Sequence, residues 1–123
     1  MLTGKTVLIV EAEVLIALDI QRILEDRNVH NVVLARAPQD VTEDPGLLDR
    51  LDLAIVEYAS HHPDAHALVE RLLEHGVACI MTSSDLRHRR GIDGLEDVIV
   101  LIKPFQESDL SDAAHQALAR RFV

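Results

Sequence analysis

Tryptophan is absent, and one tyrosine and two phenylalanines are the only aromatic residues. Any core must therefore be aliphatic, built from Leu, Val, Ile and Ala. The single cysteine, Cys79, excludes an internal disulfide. It lies in the apolar run Val77-Ala78-Cys79-Ile80-Met81, where it reads as a small buried hydrophobe, and a reducing cytoplasm fits that usage. No apolar run approaches the roughly 18 residues of a membrane-spanning helix, and the start Met1-Leu2-Thr3-Gly4-Lys5 lacks the features of a signal peptide. Basic residues are few, 12 against 21 acidic ones, for a net charge of −9. That balance argues against general nucleic-acid binding and favours a protein partner with a basic patch. No glycine-rich phosphate loop or nucleophile elbow is present. The seven histidines form no Ser/His/Asp order that would support an enzyme.

What is present is an alternation of apolar runs and amphipathic segments over 123 residues, a length that points to one domain spanning 1–123 with a core of its own. Thr6–Val10 has no polar face and reads as a buried parallel strand. From Glu13 to about Arg27, apolar residues at Val14, Leu15, Leu18, Ile23 and Leu24 suggest one inward stripe along a helix, stopped near Asn28. Asn31–Ala35 is a second strand. Pro38 to Arg50 is a weak helix, interrupted by Pro45 and Gly46. Leu53–Val56 is a third strand ending at Glu57, followed by a loop over Ser60–Pro63 and a helix over Ala65–His75 closed by Gly76. Val77–Met81 is a fourth strand. Asp85 caps a short fourth helix running to Gly91. Val98–Ile102 is the fifth strand, and a fifth helix begins at Ser108 or Asp109 and runs to about Arg121. Five strands alternating with five helices predict an α/β fold, a flavodoxin-like doubly wound parallel sheet in order 2-1-3-4-5.

In such sheets chemistry gathers at the carboxyl ends of the strands. There the first strand delivers Glu11, Ala12 and Glu13; the third, Glu57; the fourth, Thr82, Ser83 and Ser84; the fifth, Lys103 and Pro104. Together with the strand Leu101-Ile102-Lys103-Pro104-Phe105 and the helix opening Glu13-Val14-Leu15-Ile16-Ala17-Leu18, these segments resemble the receiver domain of two-component response regulators. The resemblance covers nearly the whole chain. It implies a bacterial signalling or phosphorelay domain in which two acids after the first strand hold Mg²⁺. An aspartate ending the third strand then accepts a phosphoryl group from a histidine kinase, and a Thr or Ser hydroxyl and a Lys contact the phosphate.

Carried over by position, Glu11 falls on the first acidic place and Ala12 on the second, where a methyl group cannot ligate Mg²⁺. Glu57 falls on the phosphoacceptor, with a carboxylate about 1.5 Å further out than an aspartate's. Thr82 and Lys103 match the phosphate contacts. Val100 occupies the aromatic switch position three residues before the lysine. Two losses, at the metal and acceptor positions, point to a pseudo-receiver that is not phosphorylated, needs no cofactor, and binds Mg²⁺ weakly or not at all. Glu13 remains as an acid adjacent to the site. Glu57 then has two readings: a plain ion pair with Lys103 tying the third strand to the fifth, or a partial mimic of the phosphorylated state. The mimicry is partial because a phosphoryl group carries about −1.5 to −2 charges.

Arg87, Arg89 and Arg90 form the one dense basic cluster. It is either a solvated face offsetting Asp85, Asp93 and Glu96, or a partner contact. By resemblance, the surface of the fourth helix, fifth strand and fifth helix is the usual partner or homodimer face. His62 and His66 have a spacing that suggests a metal pair, but Pro63 intervenes and a solvated loop is the better reading, so no metal site is assigned. With no effector segment following Arg121-Phe122-Val123, output is expected to be a contact with a histidine kinase, another signalling protein or a second copy. No contact with nucleic acid or membrane is expected. Two alternatives remain: a working phosphoacceptor using Glu57 or another acid with Mg²⁺, and a flavodoxin-like binder of a small molecule.

Overall fold

The computed structural model describes residues 2–41, 45–59 and 63–121. The order of elements is β1 (Thr6–Val10), α1 (Val14–Glu25), β2 (Asn31–Ala35), a 3-10 turn (Pro38–Asp40), α2 (Pro45–Arg50), β3 (Leu53–Glu57), α3 (Asp64–Glu74), β4 (Ala78–Ser83), a second 3-10 turn (Leu86–Arg90), β5 (Ile99–Ile102) and α4 (Glu107–Arg120). All strand pairs are parallel and the sheet order is β2-β1-β3-β4-β5, as the alternation of elements predicts.

Both faces of the sheet are covered, which is why its strands are apolar at nearly every position. Val7, Ile9, Leu53, Ile55, Ala78 and Ile80 pack against α1 and α4. The alternate residues Leu8, Val10, Ala54, Val56, Cys79 and Met81 pack against α2 and α3. Burial pushes the Cys79 thiol up to about 12, so it behaves as an apolar side chain rather than a nucleophile.

The helices depart from expectation in three places. Among the described residues there are four α-helices, not five. The expected fourth helix is the 3-10 turn Leu86–Arg90, started by Asp85, whose side chain accepts from the Arg87 amide at 2.9 Å, and ended by Gly91 at φ 115°. The expected helix over Pro38–Arg50 is split, and α2 starts at Pro45, where a residue without an N–H leaves no bond unmade. In α1 the buried residues are Ala17, Ile20, Ile23 and Leu24, whereas Val14, Leu15 and Leu18 are exposed. Expectation is also displaced at β4, which continues through Thr82 and Ser83 instead of ending at Met81. The last helix starts at Glu107, just ahead of the expected Ser108 or Asp109, with its first turn held by a reciprocal cap between Gln106 and Asp109.

Candidate functional site

The site lies where β1 and β3, neighbours in the sheet, send their connections in opposite directions. Side chains alternate along a strand, and in each of β1, β3, β4 and β5 one alternate set faces α1 and α4. The next member of each set, at or just beyond the carboxyl end of its strand, is Glu11, Glu57, Thr82 or Lys103, and these meet at one corner. The register places Val10 beside Val56 and Glu57 beside Thr82.

Lys103 stands at the centre. Its Nζ donates to Glu57 Oε2 at 2.7 Å and lies 2.6 Å from Glu11 Oε1. The Lys103–Glu57 pair is the one the sequence suggests; the second carboxylate on the same ammonium is not. Glu11 Oε1 is buried and accepts no well-angled hydrogen bond, so its contact with Lys103 is one of charge. The side chain of Glu11 is 1% exposed, that of Lys103 11% and that of Glu57 29%.

Two carboxylates sharing one cation divide its effect unequally. Burial pushes the Glu11 carboxyl above its ordinary range, and Lys103 offsets this only in part. Glu57 also feels burial, but the Lys103 ammonium and the Ala12 amide outweigh it and hold its carboxyl below that range. Lys103 holds its proton more firmly than an ordinary lysine, because its two acid partners outweigh its burial.

The loop after β1 is tied to this cluster through its backbone. The Ala12 amide donates to Glu57 Oε1 at 3.1 Å and the Glu13 amide to Glu11 Oε2 at 3.1 Å. Arg36, just after β2, donates to the Ala12 carbonyl at 3.4 Å. The side chain of Glu13 is exposed, outside the cluster. A small cleft of about 220 Å³ opens beside Ala12, with Arg36, Gln39, Glu57 and Asp64 on its walls. Arg36 and Gln39 are the residues of this corner that sequence reasoning missed. No strand-end pattern marks them, because they act from the β2 loop.

Thr82 is buried next to Glu57, and its carbonyl accepts from the Tyr58 amide at 2.8 Å. Val100 does not join the site. It packs against the core on the α2–α3 face. Ser83 and His88 form a linkage that the sequence does not announce, with Ser83 Oγ 2.6 Å from His88 Nδ1. His88 in turn stands edge-on to Tyr58, ring centroids 5.0 Å apart at 89°. Arg87, Arg89 and Arg90 lie on the second 3-10 turn, all exposed. Of the histidine run, His61 and His62 fall outside the described residues. His66 lies in α3, with Nδ1 3.3 Å from Glu70 and Nε2 3.1 Å from the Asp93 carbonyl.

A five-stranded sheet in this order, with acids after β1 and at the end of β3 and a lysine after β5, decides the architecture. The fold is that of response regulator receiver domains. The response regulator receiver protein of Sinorhizobium medicae WSM419 matches with a TM-score of 0.75 at 22% identity, over 98% of this chain and 99% of that one. The PhyR receiver domain of Erythrobacter litoralis matches at 0.74 and 21%, over 95% and 92%. A response regulator of Thermotoga maritima matches at 0.72 and 20%, over 94% and 98%. No family model and no curated protein matches the sequence. Among the described residues no helix is long and apolar enough to cross a membrane.

Receiver folds imply a Mg²⁺ ion at this corner, where the buried or half-buried side-chain carboxylates are those of Glu11 and Glu57. Ala12 brings no oxygen from its side chain, and the Lys103 ammonium already sits between Glu11 and Glu57. Magnesium demands near-octahedral oxygen ligands. Among the described residues, no three acids or imidazoles are grouped to hold a metal ion.

Proposed function

We propose that this chain is a phosphorylation-independent receiver-like signalling domain, held in one state by Lys103 and working through contacts with other proteins. One observation carries the proposal: Lys103 Nζ lies 2.6 Å from Glu11 and 2.7 Å from Glu57. The ammonium thus supplies the positive charge that a metal ion would supply elsewhere. Glu57 supports the same reading, since both of its oxygens are engaged, one by Lys103 and one by the Ala12 amide. A carboxylate so held is a poor nucleophile, and a displacement of about 1 Å from productive geometry can cost on the order of 100-fold. The chain would act in the bacterial cytoplasm, with a histidine kinase or another signalling protein as its partner. The basic turn at Arg87–Arg90 is the proposed contact.

Incubation with acetyl phosphate and Mg²⁺, read by intact-protein mass spectrometry, tests this. No mass gain is expected. A metal-dependent gain of one phosphate would reject the proposal and favour a working acceptor at Glu57 or another acid.

A further inference from the structure

A 3-10 turn repeats every three residues, so its side chains fall in columns. In the turn Leu86–Arg90, Leu86 shares a column with Arg89 and Arg87 shares one with Arg90, while His88 stands alone. The His88 column faces inward. Its side chain is 13% exposed, with Nδ1 held by Ser83 and the ring against Tyr58. Arg87 is turned back onto Asp85, with Nη2 2.7 Å and Nε 3.1 Å from the carboxylate, and holds that carboxyl down to about 2. Its charge is therefore met locally. Arg89 and Arg90 are exposed, and neither makes a salt bridge among the described residues. Leu86 is 69% exposed. The outward side of the turn thus presents an uncovered leucine beside two unmatched guanidinium groups, in a chain of net charge −9.

A groove of about 690 Å³ runs between the start of this turn and the end of β3, walled by Glu57, Tyr58, Ser83, Leu86 and His88 together with the paired Asp85 and Arg87; Arg89 and Arg90 lie outside its walls, one repeat further along the columns of Leu86 and Arg87. We propose that this groove docks an acidic segment of a partner protein, with an apolar side chain of that segment inserted against Leu86 and Tyr58. This deepens the function proposed above and rests on it. The charge pattern fixes the orientation. Glu57 and Asp85 are already paired with Lys103 and Arg87, so the unmatched charges near the groove are those of Arg89 and Arg90, and the partner's carboxylates lie outward on them with its apolar residue inward. A nucleic acid fits less well. Two guanidinium groups make few phosphate contacts, the rest of the chain repels a polyanion, and a phosphate backbone leaves Leu86 and Tyr58 unused. Arginine and aromatic side chains around an apolar contact are the residues that dominate protein interfaces.

The groove shares its walls with the lysine cluster. Ser83 holds His88 with its hydroxyl, while its carbonyl accepts from the Lys103 amide at 2.8 Å. Tyr58 follows Glu57 directly and is bonded through its amide to Thr82. A segment lying against Tyr58 therefore touches the residue next to Glu57. Tyr58 is also the only tyrosine, in a chain without tryptophan. Its emission reports occupancy with no background.

The test titrates the full chain with a short acetylated peptide of glutamates around one leucine, following Tyr58 emission and amide chemical shifts. The same peptide with glutamine for glutamate, and a single-stranded oligothymidine, are the controls. Saturable binding that weakens with salt is expected, with shifts confined to Tyr58 and the 83–90 segment. The double variant Arg89→Glu/Arg90→Glu should weaken it about tenfold or more, and Leu86→Ala should weaken it several-fold while leaving thermal unfolding unchanged. The proposal is overturned if the peptide does not bind, if charge reversal leaves binding intact, if the glutamine peptide binds equally, or if the oligothymidine binds better. A phosphate gain in the mass experiment would reject the function proposed above whatever the peptide does. Failure of the peptide without a phosphate gain rejects the groove alone.

Discussion

The Ala12 amide donates to Glu57 Oε1 at 3.1 Å, so the two residues that the receiver resemblance sets at its metal and acceptor positions are bonded to each other. The longer side chain makes this possible. Glu57 spans from the Lys103 ammonium, with one oxygen, to the β1 loop, with the other. Ala12 leaves the space open by having no side chain beyond its methyl group. The corner is thus closed by an ion pair and a backbone hydrogen bond.

The first expectation concerns Lys103. Lys103→Met leaves Glu11 buried with no cation, and breaking a buried pair at one partner costs about 3–5 kcal/mol. Because Glu57 is 29% exposed and can reach water, the lower end, about 3 kcal/mol, is expected in urea unfolding. A double-mutant cycle with Glu11→Gln should show coupling above about 0.5 kcal/mol. Additive effects would mean that the 2.6 Å contact does not contribute to stability.

Acid should act through Glu57. Its carboxyl is held below the ordinary 4.5 because Lys103 and the Ala12 amide outweigh burial. A lowered carboxyl stabilises fully above its unfolded value and loses that contribution as pH falls through the folded one. Glu11 runs the other way. Its carboxyl is raised by burial, so its ionisation opposes folding as pH climbs from 4.5 towards the raised value. The urea midpoint of the wild type should therefore fall more steeply than that of Glu57→Gln between about pH 5 and about pH 3. Parallel curves would show that ionised Glu57 contributes nothing.

Helix α1 shows both the reach and the limit of the sequence. Its position and length follow from the spacing of apolar residues, and so does the burial of Ile23 and Leu24, but the inward face of its first half does not. Val14, Leu15 and Leu18 are as apolar as Ala17 and Ile20, and hydrophobicity alone cannot choose between them. Packing against Val7, Ile9 and α4 makes the choice. The strands were easier, because a sheet covered on both faces leaves only continuous apolar runs. At the site, Glu11, Glu57, Thr82 and Lys103 are legible because strand ends are fixed by those runs. Arg36, and the sharing of Lys103 by two acids, depend on loop paths and side-chain reach that no local pattern encodes. In the sequence the 3-10 turn at Leu86–Arg90 looks like a helix because its cap, Asp85, serves both.

That account has a measurable consequence for α1. Ile20→Ala removes a side chain that is 2% exposed and should cost about 2–5 kcal/mol. Leu15→Ala removes one that is 82% exposed and should stay within about 0.5 kcal/mol. Equal losses in thermal or urea unfolding would mean that α1 is rotated from the orientation described here.

The last expectation separates the two departures from the receiver pattern. Glu57→Asp alone shortens the acceptor side chain but leaves Ala12 in place, so no oxygen is added to the corner. It should also lose one of its two contacts, because a carboxylate drawn back by about 1.5 Å cannot keep both Lys103 and the Ala12 amide. This variant should remain unlabelled by acetyl phosphate with Mg²⁺. Ala12→Asp with Glu57→Asp adds an oxygen ligand beside Glu11 and gives Lys103 a shorter partner. Labelling by acetyl phosphate that disappears with a chelator is expected only in this double variant. If Glu57→Asp alone becomes labelled, the extra methylene is the whole obstacle and Ala12 has no part in it. If the double variant folds, as judged by its melting curve, and still takes no phosphate, then the Lys103–Glu11 pair itself closes the corner.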